Sequence, residues 1–285
     1  MAACCEKRYI DVQSPMMDPE EGLTRSHPDV LQSLEQVISS PSMESLAREV
    51  LNRLTAGNRD NWRAPASEID YFCTVLCAER SFRANKFLLQ LLRAHLPFHR
   101  IYQSYFGEAA RQLGAKWETN ELSFVEVTLA TSRIYNMLYA LRRRYPPPSH
   151  GRKPKFLFSA VPGEQHTLGV EIATDLFRRN GWEVIHLIDK GYDDIIQMIS
   201  DDDVYLLGLS VSGTRHLDTL CRIILAARVV RPDIKIMVGG TLNHSHAETI
   251  REIGVDSVIT ELTDAFSFVE SVFGVEKPPV ICVDS

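Results

Sequence analysis

No stretch of the 285 residues holds about 18 consecutive apolar side chains, so no membrane-crossing helix is expected. The six cysteines, Cys4, Cys5, Cys73, Cys77, Cys221 and Cys282, form no CxxC pair. A structural zinc site is therefore not expected, and reduced thiols in a cytoplasm are. The opening residues, MAACCEKRYIDVQSPMMDPEEG, have no apolar core followed by a cleavage site and do not read as a signal peptide. GxGxxG and GxxxxGK[ST] are both absent, which leaves ordinary nucleotide binding without a motif. Excess positive charge is also missing: the net charge is −6. Broad direct binding to a nucleic-acid backbone needs a basic face, so DNA is expected to be met only indirectly or weakly.

What is present is an ordinary globular balance, 45% hydrophobic and 24% charged, enough for a sizeable core. Residues 1–28 are polar with scattered Pro and Met and read as a disordered tail. Residues 29–66 carry N-terminal helical patterns, DVLQSLEQVI and SMESLAREVLNRL, broken by GNRDNWRAPAS. Residues 67–145 hold four helical runs with short connections, which predicts a four-helix bundle. In the third run Ile101, Tyr105, Ala109 and Leu113 recur every four residues as one apolar stripe. Cys73 and Cys77 fall on one face of the first run, where such side chains pack. RRRY, Arg142 to Tyr145, reads as a solvated helix end whose cations suit the dipole.

The prolines Pro146 to Pro148 cannot continue a helix, so 146–154 reads as a linker. Beyond it the period changes. KFLFSAV, WEVIHLI, VYLLGLSVS, IKIMVGG and SVI are short apolar runs separated by helical ones. That alternation predicts a Rossmann-like, five-stranded parallel sheet over 155–275, with 276–285 a tail. The fold class is thus a helical bundle followed by a doubly wound α/β domain.

In such sheets ligands bind beyond the carboxyl ends of the strands. Three of those ends carry small or polar loops: VPGEQHTLG, LSVSGTRH and VGGTLNHSH. Glu164-x-His166-x-x-Gly169 occupies the first. Ser210 follows 44 residues after the histidine, with Ser212 two places on, and Gly239-Gly240-Thr241 begins 29 residues after Ser210. His244 and His246 in NHSH read as solvated loop residues. His216 reads equally as a surface helix-start residue or a functional one.

The ordered set Glu-x-His-x-x-Gly, Ser-x-Ser, Gly-Gly resembles the cobalamin-binding fold of methionine synthase and its relatives. Their pattern is Asp-x-His-x-x-Gly, Ser-x-Leu, Gly-Gly, so Glu164 and Ser212 depart from it. The resemblance implies base-off cobalamin, with His166 as the lower ligand to the metal and Glu164 holding its other nitrogen. Gly169, Ser210, Ser212, Thr214, Gly239, Gly240 and Thr241 would line the slot for the nucleotide tail. LGAKWETNELSFVEVTLAT resembles the cap of light-sensing cobalamin repressors, with Trp117 in place of their tryptophan. Where those repressors carry Glu-His, ten and eleven residues on, this chain has Val127 and Thr128.

EIDYFCTVLCAER, RQLGAKWETNELSFVEVTL and PGEQHTLG together resemble the AerR/PpaA-type regulators, related to the C-terminal part of AppA. This implies a light-responsive antirepressor of photosynthesis genes, binding adenosylcobalamin or hydroxocobalamin, that acts on a repressor of the PpsR/CrtJ kind and is not an enzyme. Haem is the alternative cofactor, since an imidazole serves either metal. A corrinoid methyl shuttle is the alternative function.

Overall fold

The structure, a computed structural model, describes residues 62–78, 81–147, 152–201, 203–241 and 243–274. The expected tails and most of the N-terminal helices fall outside them. The described part opens with helices α1 (Ala66–Cys77) and α2 (Phe82–Arg93). The third run begins at Phe98–Arg100, passes through a π-helical segment, Ile101–Gly107, and continues as α3 (Glu108–Glu118). The four-residue stripe explains that segment. A strict repeat of four drifts around a helix of 3.6 residues per turn, and a wider π turn restores its alignment. Ile101, Tyr105, Ala109 and Leu113 are all buried.

Helix α4 (Phe124–Arg144) starts in a capping box, where Ser123 and Glu126 satisfy each other's backbone N–H groups. Cys73 packs, as expected. Its Sγ donates to Gln112 Oε1 at 3.2 Å, and burial pushes the thiol up to about 12.

The sheet is parallel, in the order β2-β1-β3-β4-β5. Its strands are β1 (Arg152–Ala160), β2 (Trp182–Leu187), β3 (Val204–Ser210), β4 (Lys235–Gly239) and β5 (Ser257–Ile259). The intervening helices are α5 (Leu168–Arg179), α6 (Tyr192–Asp201), α7 (Leu217–Val230), α8 (Asn243–Glu252) and α9 (Leu262–Phe273). Strand β1 takes in Arg152–Pro154, residues expected in the linker. His244 and His246 lie in the first turns of α8, not in a loop. One core layer gathers Leu157, Leu207, Val238 and Ile223; the other stacks Phe156, Phe158, Phe177 and Trp182.

The cations ending α4 are not all solvated. Arg142 donates from Nη1 to Glu171 Oε2 at 2.6 Å and from Nε to Asp175 Oδ1 at 3.1 Å. Asp175 also accepts from Arg179 Nε at 2.7 Å, and the Arg179 guanidinium lies 3.9 Å from the centre of the Phe98 ring. Tyr135 and Thr167 share a hydroxyl hydrogen bond of 2.8 Å. These contacts pin α4 along α5, immediately after the Glu164–His166 loop. Glu171 and Asp175 are buried charges, tolerable because each is paired. Arg142→Ala should therefore destabilise the protein by about 3 kcal/mol in chemical denaturation. Arg142→Lys, which cannot reproduce the fork of hydrogen bonds, should recover only part of that loss.

Candidate functional site

The turn that leaves β1 is built by its own sequence. Pro162 and Gly163 occupy its centre, Gly163 has φ +88°, and Glu164 N–H donates to Val161 C=O at 2.9 Å. This has the pattern of a type II turn, with Pro preset at the first central place and Gly taking the left-handed one. The turn carries Glu164 back over the sheet end, where its side chain is only 1% exposed. Glu164 Oε1 accepts from the His166 backbone N–H at 2.8 Å and pairs with His166 Nδ1 at 2.7 Å. Glu164 Oε2 accepts from the Ser212 backbone N–H at 2.7 Å. Burial alone pushes this carboxyl up; the hydrogen bonds from His166 and Ser212 outweigh it and hold the group below the usual carboxylate range. The His166 side chain is 70% exposed. With Nδ1 committed to the carboxylate, Nε2 faces outward as a free donor atom for a metal.

The other rim residues divide by role. Ser212 serves through its backbone N–H, not only through its hydroxyl; its carbonyl accepts from Thr241 Oγ1 at 3.2 Å. Ser210 is buried at the end of β3, with its carbonyl taken by Val161 N–H. Thr214 is exposed, at the start of a short 3-10 helix. A Cβ on Gly169 would meet nothing within 4 Å, and one on Gly239 only ordinary contacts with Ile259. Neither glycine is required by the surrounding protein, and only Gly169 faces open space. Gly240 differs from the expectation that it makes room for a ligand. Its φ is +123°, and a Cβ there would lie 1.9 Å from Val211 O. The fold itself demands that glycine. His216 is no surface residue: it is 9% exposed, and its Cε1 lies 3.2 Å from where a Cβ of Gly163 would stand.

On the bundle, Trp117 is 48% exposed and so is not a core aromatic. It and Phe124, 71% exposed, flank the turn joining α3 to α4. Val127 and Thr128 follow on α4. No hydrogen bond or ring contact among the described residues joins Trp117, Val127 or Thr128 to the His166 loop. Their placement rests on helix geometry. Phe124, Thr128, Tyr135, Tyr139 and Arg142 share one face of α4 at 100° per residue. The C-terminal half of that face is docked on α5, so its N-terminal half continues over the rim.

Residues 154–269 match the family model of the B12 binding domain. That match spans the α/β part of the chain. The rim just described lies within the matched residues. An uncharacterized 20.5 kDa protein in the bchF-crtJ intergenic region of Rhodobacter capsulatus is 28% identical over 173 residues, 60% of this chain and 90% of that one. Homo sapiens mitochondrial methylmalonyl-CoA mutase is 25% identical over 135 residues, which are only 17% of the mutase. The structure of the Methanosarcina barkeri monomethylamine corrinoid protein aligns with a TM-score of 0.62 at 18% identity, covering 73% of this chain and 100% of that one. That likeness extends through the bundle and supports the two-part fold.

Tyr135, Glu171 and His186 have no reading in the sequence, and Arg142 was expected to be solvated. Glu171 and Asp175, four apart among apolar residues of α5, were the available signal, because acids at buried helical positions need partners. Glu164 contributes stability that is present above the ordinary carboxylate pKa and lost as pH falls through its depressed folded value. Glu164→Gln should lower Tm at neutral pH by several degrees and flatten the fall in Tm below about pH 4.

Proposed function

We propose that the chain binds cobalamin base-off through His166 and serves as a light-responsive antirepressor of photosynthesis genes, not as an enzyme. The observation that carries this reading is the outward Nε2 of His166, set by a buried, charged Glu164 at the carboxyl rim of a B12-binding domain. The residues fit the group. Nε2 would hold the metal, and Glu164 fixes the tautomer and the ring's direction. Gly169 leaves room that the protein does not fill, and Ser210, Ser212 and Thr241 would offer hydroxyls from the loops after β3 and β4. Trp117, Phe124, Val127 and Thr128 supply the cover from α3 and α4. When bound, the corrinoid provides a light-absorbing macrocycle with an upper ligand that light can release.

The regulatory part rests on the resemblance and on two further facts. The Rhodobacter capsulatus relative is named for a region beside crtJ, which points to a repressor of the PpsR/CrtJ kind as the partner. The net charge of −6 favours action through a protein and only indirect or weak contact with DNA. Helix α4 also offers a route for a signal. Its first turns cover the rim, and its last turn grips α5 through Arg142.

The test is to load the protein with adenosylcobalamin in darkness and record spectra and repressor binding before and after green light. The expected result is a light-dependent change in both. His166→Ala should abolish the histidine-ligated spectrum, and Glu164→Ala should weaken ligation by about 10–100-fold. Trp117→Ala should keep corrinoid binding but alter the rate of photolysis. A Soret band on adding haem, with no uptake of hydroxocobalamin, would overturn the reading in favour of haem.

A further inference from the structure

A cavity lies beside the His166 loop, on the side away from β3 and β4. It encloses about 370 Å³ between the β1 turn, the first turns of α5 and the turn Ile188–Gly191 that leaves β2. Glu164 and Thr167 line it, so it opens within two residues of His166 on either side. Its lining also includes Glu171 and His186, whose side chains are 3% and 6% exposed.

These two groups are in different states. Glu171 is satisfied: Arg142 donates to Oε2, and Tyr139 OH donates to Oε1 at 3.4 Å. His186 has no hydrogen bond to either ring nitrogen among the described residues. Its nearest polar neighbour is Glu171 Oε2, 3.9 Å from Nδ1, which is beyond hydrogen-bond range. Burial lowers the pKa of this imidazole and keeps it uncharged. With no protein partner on either nitrogen, the ring is left to be met by whatever enters the cavity it lines. The adjoining turn carries a second sign of a built site. Asp189 sits at φ +50°, a left-handed conformation that non-glycine residues adopt at a cost and that clusters at ligand clamps.

The charges select the ligand's chemistry. The Glu171 carboxylate on the Nδ1 side favours a proton on that nitrogen, which leaves Nε2 as an acceptor. A ligand must then bring an N–H or O–H donor. An anion would meet the carboxylates of Glu171 and Glu164. A neutral group with a donor and an acceptor suits the cavity best, and Lys190 at the cavity wall is available to its oxygen. A primary carboxamide is such a group, and cobalamin carries carboxamide arms around its macrocycle.

We propose that this cavity is a carboxamide subsite, with His186 as the acceptor, which takes one amide arm from the rim of the corrin. The inference rests on the cobalamin reading above. It makes His186 a specificity-determining residue that tells amidated corrinoids from their hydrolysed forms.

The test is a titration of the full chain, in darkness, with cobalamin and with its monocarboxylic acid derivatives, each having one amide arm hydrolysed. One derivative should bind the wild-type protein about tenfold more weakly than cobalamin, the worth of one buried hydrogen bond. His186→Leu should bind cobalamin weaker by a similar factor and no longer distinguish that derivative. His186→Gln, which keeps an acceptor, should retain part of the discrimination, and it decides the matter with the wild-type series if the leucine variant does not fold. Equal binding of every derivative to the wild type would overturn the subsite, as would undiminished discrimination by His186→Leu. In either case a histidine-ligated spectrum would leave the cobalamin reading standing. A wild-type protein that takes up no corrinoid would sink both.

Discussion

Hydrogen bonds from three N–H groups converge on one buried carboxylate, and the rim of the sheet is organised by them. The His166 backbone, the His166 ring and the Ser212 backbone all donate to Glu164. A buried charge without such donors would cost several kcal/mol, so the loops after β1 and β3 must stay together for Glu164 to remain ionised. The same contacts fix which imidazole nitrogen faces outward. Loop packing, charge state and the capacity to bind a metal are therefore one arrangement, not three. Val161 N–H on Ser210 C=O and Val211 N–H on Gly239 C=O extend the tie along the rim, and the glycine at 240 lets the last of these segments close on Val211.

The bundle is attached to this rim by a second set of buried charges. Arg142 and Arg179 neutralise Glu171 and Asp175, and Tyr135 reaches Thr167, the residue after the histidine. One helix thus carries both the cover of the rim and the clamp on the helix that follows it. A displacement at Phe124 or Thr128 would be felt at α5 through a rigid element, not through a flexible linker.

Much of this was legible in the sequence. The change from helical to strand-like periods at Pro146–Pro148 separated the two parts, and the order of apolar runs gave the five strands. The hexad's place between strand and helix located the rim, because parallel sheets bind ligands there. Three features were not legible, for physical reasons. The sequence marked Glu164 only as a departure from Asp; it did not show that its second oxygen reaches the Ser212 backbone. Gly240 looked like room for a ligand, whereas its constraint is a close approach of two backbones. Arg142 sat among cations at a helix end, and only the packing of α4 on α5 shows that it faces buried acids. Backbone approach and tertiary pairing leave no periodic trace.

The central claim is that the outward nitrogen of His166 binds cobalt in place of the cofactor's own base. Electron paramagnetic resonance of the protein loaded with the reduced, divalent cobalt form of cobalamin tests it most directly, with histidine alone labelled with heavy nitrogen. The account predicts a nitrogen splitting on cobalt that changes with the labelling and disappears in His166→Ala. A splitting that ignores the histidine label, as a still-coordinated benzimidazole would give, would contradict it.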